Sequence, residues 1–200
     1  MSRGATGPVK LTQAFFRRSV HEVAPLLVGA ELYVDGVGGT IVEVEAYDHE
    51  DPAAHGFGNR RTARNASMFL AGGHAYVYRS YGVHWCLNFV CGDEDVASAV
   101  LIRALAPSAG LEEMRARRGL DDPRRLCSGP GRLCQALAVT RAHDGLALDE
   151  PPFEVRPRRA APELAIGRRV GITKAAEAPW RYGLAGSPYV SRRFSTARPA

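Results

Sequence analysis

The chain has 200 residues, 46% of them hydrophobic and 24% charged. That length suffices for one buried core, and the composition excludes a wholly disordered chain. No apolar run reaches 18 residues and the first twenty residues hold no apolar stretch of signal-peptide length, which excludes a membrane-spanning helix and leads us to expect a cytoplasmic, bacterial-type protein associated with the nucleoid. The net charge is +5, and all but Lys10 and Lys174 of the 26 basic residues are arginine. Arginine forks onto phosphate, so a nucleic-acid partner fits this bias; a GC-rich coding bias fits it too.

In chain order, Leu11 to Arg18 predicts a first helix with Thr12 as its N-cap, and Val20 to Val28 a second that stops at Gly29. Glu31–Asp35 and Gly39–Tyr47 read as strands joined by a turn at Val37-Gly38-Gly39. Residues 48–74 read as one long loop, a length that usually carries function. Ala75–Tyr81 and His84–Cys91 form a predicted hairpin around Gly82-Val83. Ala99–Leu105 is an apolar strand interrupted by Arg103. Pro107–Arg118 reads as a helix, and a further helix opens at Ser128 and runs through Val139. Residues 151–162 read as strand plus loop. The expected organisation is a flexible N-terminus over 1–10, one domain over 11–191, and a basic C-terminal tail over 192–200. The fold class is α+β: a single domain with a curved, mostly antiparallel β core flanked by helices, and a protruding β-hairpin.

Five constellations carry possible chemistry. Glu43, Glu45 and Tyr47 share one face of a strand by period-two spacing. Two carboxylates in an apolar strand are costly to bury without a task, and one could act as a general base; a half-solvated strand face is the plainer alternative. Asp48, His49, Glu50, Asp51 and His55 are metal-ligand types at spacings that match no zinc motif, so no metal is expected there and solvated loop residues are. The segment from Phe57 to Val90 contains no acidic residue but holds Arg60, Arg61, Arg64 and Arg79 among Tyr76, Tyr78, Tyr81, His84 and Trp85. Interleaving of this kind suits base stacking with phosphate contacts nearby, although alternate aromatics also suit strand cores. Tyr81, beside Gly82 at the hairpin tip, is a candidate wedge between stacked bases. Arg103, alone in a buried strand, needs an anion, which Glu43, Glu45 or a substrate phosphate could supply. Ser128-Gly129-Pro130-Gly131 opens a helix whose N-terminal amides could hold a phosphate; no Gly-Lys-Ser/Thr follows, so it is no Walker loop, and a helix start with ordinary capping is the plainer reading. The cysteines Cys86, Cys91, Cys127 and Cys134 fit buried thiols better than a zinc site or disulfides.

The stretches IVEVEAY (41–47), AAH (53–55), TARNASMF (62–69), AYVYRSYGVHWCLN (75–88), VLIRALAP (100–107), LCSGPGRLCQAL (126–137) and GSPYVS (186–191) resemble, in order, the alkyladenine (3-methyladenine) DNA glycosylase family. The resemblance implies excision of alkylated or deaminated purines from double-stranded DNA by hydrolysis of the N-glycosidic bond, without cofactor or metal and by a monomer. Carried over by position, Glu45 is the general base that holds the attacking water and Arg103 helps to position it. Tyr47, His55 and Tyr78 line the base pocket, Asn88 opposes the exocyclic amino group of normal guanine, and Tyr81 fills the gap left in the duplex. Arg60, Arg64, Ser128 and Arg132 are expected at the DNA backbone. No lysine is expected near the site, so no Schiff base and no strand-cleaving step. Val83 departs from the family, in which a longer apolar residue is familiar. Two rivals remain at this point: a silent binder of distorted DNA, which does not need Glu45, and a hydrolase of free nucleosides, which does not need the wedge.

Overall fold

A computed structural model describes residues 9–194. Its centre is a pair of eleven-residue strands, β2 (Val37–Tyr47) and β5 (Ala99–Ala109), which pair antiparallel along most of their length. The other edge of β2 is shared. Its first residues pair with β1 (Glu31–Val34), and Glu43 to Glu45 pair with β8 (Arg181–Leu184). Beyond β5 come β4 (His84–Val90) and β3 (Ala75–Ser80). Beyond β1 comes β6 (Phe153–Arg156), and β7 (Leu164–Gly167) completes the β8 edge. Every pairing is antiparallel. Bulges in the β2–β5 ladder beside Glu43 add bend to the sheet. The helices are α1 (Gln13–Phe16), α2 (Val20–Leu27), α3 (Leu111–Arg118), α4 (Pro123–Leu126) and α5 (Pro130–Ala136). The α+β class with a curved antiparallel core therefore holds. Among the described residues no helix is long and apolar enough to cross a membrane.

Period-two alternation divides the sheet into two unlike faces. Ala75, Val77, Leu87, Phe89, Val100, Ile102, Val44 and Ala46 belong to one hydrophobic core with Val23, Ala24 and Leu27 of α2, Met114 of α3 and Leu133 and Leu137 of α5. The intervening residues carry the polar groups: Tyr76, Tyr78 and Ser80, Cys86 and Asn88, Leu101 and Arg103, and Tyr47 all line one cleft. The helices thus close the apolar face and leave the chemistry-bearing face open.

Two expectations need correction, the first turn and the helix after β5. The β1–β2 turn is Asp35-Gly36, both at positive φ, with Val34 opposite Val37. Gly38 and Gly39 lie in the strand instead, because a Cβ there would sit 1.9 Å from the Leu32 carbonyl oxygen or 2.1 Å from that of Ala106. No helix starts at Pro107: β5 continues to Ala109, and α3 begins only after Gly110 turns the chain at φ 70°. Thr12 stands at the N-cap of α1, but its side chain makes no capping bond. At the described start of the expected tail, Phe194 packs under the Arg181 guanidinium at 3.9 Å, and Arg181 also donates to the Arg192 carbonyl. Residues 1–8 and 195–200, the rest of the two expected termini, lie outside the described residues.

Candidate active site

Glu43 and Glu45 are both wholly buried on the polar face of β2. The Tyr47 hydroxyl donates to Glu45 Oε2 at 2.9 Å, Arg103 Nη1 donates to the same oxygen at 3.1 Å, and the Val170 amide donates to Oε1 at 2.7 Å. Glu43 Oε1 accepts from Arg103 Nε at 2.9 Å, Arg181 Nε at 2.8 Å and the Ser191 hydroxyl at 2.8 Å, while the Ser191 amide donates to Oε2. Arg103 Nη2 reaches Ser191 Oγ at 3.2 Å. Both carboxylates, not one of them and not an exposed partner, answer the need of Arg103 for an anion. Two carboxylates against two guanidiniums leave no net charge, which is how such a cluster survives in the interior. Burial works against the charge of Arg103, but Glu45 and Glu43 outweigh it and hold its pKa above the ordinary value. Burial and the charge of Glu45 push the Tyr47 pKa well above 10, so the phenol stays a donor.

The cleft in front of this cluster holds about 890 Å³ and is lined by Tyr47, His55, Tyr78, Asn88 and Arg103, with Tyr81 at its rim. That is room for a nucleoside-sized ligand. His55 Nδ1 and the Tyr76 hydroxyl are 2.9 Å apart, and the His55 ring meets the Tyr78 ring edge-on with centroids at 4.4 Å. Tyr76 and Tyr78 stack at 5.4 Å, so these aromatics form one packed wall. Partial burial, and then the charge of Arg64, hold the His55 pKa below its usual value. Asn88 Nδ2 donates to the Tyr76 carbonyl at 3.0 Å, which fixes its amide at the back of the cleft. Tyr81 is 89% exposed, at φ 48° in the β3–β4 turn beside Gly82.

The four expected backbone residues fall in different places. Arg64 lines the cleft, donating to the Arg79 carbonyl at 3.0 Å. Ser128 and Arg132 line a second hollow of about 460 Å³ that shares Arg103, His84 and Pro130 with the first. Arg60 is exposed on the 48–74 loop, outside both hollows. Sequence reasoning missed Arg169, Val170 and Arg181, gave Ser191 no role, and misread Asp51. Asp51 is no solvated loop residue: it is buried and bound by both terminal nitrogens of Arg169. Asp48 is held by His21 at 2.6 Å. A charge count could have found the missing cations, since Arg103 alone cannot offset three buried acids. Among the described residues no cluster of three or more His, Cys, Asp or Glu is placed to hold a metal ion. The four thiols are free and buried.

Residues 14–188 match the family model described as methylpurine-DNA glycosylase (MPG). The chain is 65% identical over 189 residues to a protein of Rhodopseudomonas palustris (strain BisB18) named "Putative 3-methyladenine DNA glycosylase", covering 94% of each chain. Proteins of the same name from Nitrobacter winogradskyi and Rhizobium meliloti (strain 1021) are 60% and 58% identical, over 94% and 90% of this chain and 89% and 95% of theirs. A buried carboxylate cluster behind an aromatic cleft, on a chain matched almost end to end, places this protein in the methylpurine-DNA glycosylase family.

Proposed function

We propose that this protein is a DNA glycosylase that flips alkylated or deaminated purines (the 3-methyladenine, hypoxanthine and ethenoadenine class) out of duplex DNA and hydrolyses the N-glycosidic bond. One observation carries the reading: Glu45 stands behind the aromatic cleft with three donors on its carboxylate. A carboxylate offers about four acceptor positions, so one is left for a water. The base must leave the stack before its sugar C1′ can be reached. In the cleft it lies against Tyr47, His55 and Tyr78, where a cationic alkylated purine gains from the tyrosine faces. As the C1′–N bond breaks, a cationic alkylated purine departs with the bonding pair as a neutral base, a neutral purine such as hypoxanthine takes up a proton from water as it leaves, and the sugar gains oxocarbenium character, which the nearby anion stabilises. The water adds to C1′ and gives its proton to Glu45, leaving an abasic site. Arg103 keeps Glu45 oriented. Asn88 opposes the amino group of normal guanine, and Tyr81 fills the vacated position in the duplex. Arg60, Arg64, Ser128 and Arg132 neutralise backbone phosphates. Neither lysine lines the cleft, so the abasic product is released without a Schiff base or strand scission. The working unit is a monomer.

The test is incubation with duplex oligonucleotides carrying hypoxanthine, ethenoadenine or 3-methyladenine, followed by heating in alkali. Strand breaks are expected with wild type, and Glu45→Gln should lower their rate by about 10²–10⁴-fold. Tight binding without breaks on any lesion would replace this reading with that of a silent binder. A borohydride-trapped adduct would overturn the absence of a lyase step.

A further inference from the structure

Behind Tyr47 lies an arginine that the chemistry above does not use. The Arg169 side chain is inaccessible to solvent, as is that of Asp51. Its Nη1 donates to the Ala46 carbonyl at 3.0 Å, its Nη2 to Asp51 Oδ1 at 3.0 Å and to the Ala175 carbonyl at 3.3 Å, and Nη1 also meets Asp51 Oδ2. Its Nε has no partner among the described residues. The guanidinium carbon stands 4.5 Å over the Tyr47 ring and 5.0 Å over Trp180. Arg169 does not line the cleft, whereas Tyr47 does. One face of the Tyr47 ring is therefore covered by a fixed cation, and the other is what the cleft can offer to a base. Burial opposes the charge of Arg169, but Asp51 outweighs it, so the cation persists.

From this geometry we infer that Arg169, clamped by Asp51, is a specificity-determining residue: its charge on the rear face of Tyr47 tempers the ring's attraction for cationic bases and tilts the cleft toward neutral purines. A ring's affinity for a cation comes from the negative charge above its plane. A cation on one face draws that density toward itself and weakens the opposite face for a second cation. A neutral purine, held by dispersion and offset stacking, loses little. Arg169 touches no substrate and acts through Tyr47. The inference rests on the glycosylase reading.

The experiment compares single-turnover excision of a cationic base, 7-methylguanine, with that of neutral hypoxanthine, in one duplex context. Arg169→Gln with Asp51→Asn removes the pair without stranding a buried charge and keeps a planar amide against the ring. In that double variant the ratio of cationic to neutral excision should rise at least about threefold. Arg169→Lys retains the charge and should leave the ratio at the wild-type value even where both rates fall. Should the double variant fail to fold, Asp51→Asn alone reads the same quantity with the opposite sign: the less neutralised cation should lower the ratio. Both rates falling by one common factor in every variant would show a strut and overturn the inference, as would an Arg169→Lys ratio that moves with the double variant. A wild type that excises neither base would remove the glycosylase reading itself, and this inference with it.

Discussion

Arg103→Met keeps much of the reach of the side chain and deletes its charge. In the native fold Glu43 and Glu45 face Arg103 and Arg181, all four at 6% exposure or less. Without Arg103, Glu43 retains Arg181 and both donors of Ser191, while Glu45 retains only the neutral donors Tyr47 and Val170. The orphan charge is thus on Glu45, and breaking a buried pair in this way costs about 3–5 kcal/mol. At about 2–4 °C per kcal/mol for a chain of this size, the melting temperature should fall by roughly 6–20 °C. Thermal melts followed by circular dichroism at neutral pH, with urea unfolding for the free energy, make the measurement. Adding Glu45→Gln removes the stranded charge, so the double variant should recover about 2 kcal/mol or more of the loss. A single variant within about 1 kcal/mol of wild type would refute the charge balance. So would a double variant whose loss is the plain sum of the two single losses.

Three further outcomes follow from the same geometry. Tyr81→Ser removes a ring with almost no burial, so stability should hold within about 0.5 kcal/mol. Excision from duplex should drop about tenfold, with little loss on the same lesion in a single strand, since only the duplex has a stack to fill; equal losses on both would count against the wedge. His55 has a depressed pKa, so below its ordinary value of 6.5 the unfolded chain binds a proton that the folded chain resists. Stability is therefore present above that pH and is lost as pH falls toward the lower folded value; His55→Asn should shrink the difference in melting temperature between about pH 7.5 and about pH 5. Gly39→Ala would set a Cβ 2.1 Å from the Ala106 oxygen and 2.8 Å from the Pro107 Cα. Backbone cannot step aside cheaply, so a loss of at least about 2 kcal/mol is expected in urea unfolding.

What the sequence made legible was local. Period-two spacing put Glu43, Glu45 and Tyr47 on one face and named Arg103 as a cation in search of an anion. It left open which carboxylate Arg103 meets, because that depends on irregular register beside Glu43, between Ile41 and Val44. No strand pattern encodes a bulge of that kind. Gly38 and Gly39 read as a turn because glycine serves both positive φ and close backbone approach, and only the neighbouring strand tells the two apart. Arg169 and Arg181 carried no local signal, and Ser191 stood out only as the end of the GSPYVS stretch, with no role attached. They reach residues of β2 or the loop after it from 118 to 148 positions away, and an arginine-rich C-terminal region hides three useful residues among many ordinary ones.

The shared edge of β2 has a bearing on biosynthesis. Glu43 is made early, and its two Ser191 donors arrive 148 residues later. A ribosome-bound chain that has not yet released that segment holds the hairpin and the aromatic strands, but leaves Glu43 short of Arg181 and Ser191. The buried carboxylate cluster can therefore close only once the chain through Ser191 is free. A chain cut short before Ser191 should reveal itself by lost stability rather than circulate as a loosely formed enzyme among undamaged bases.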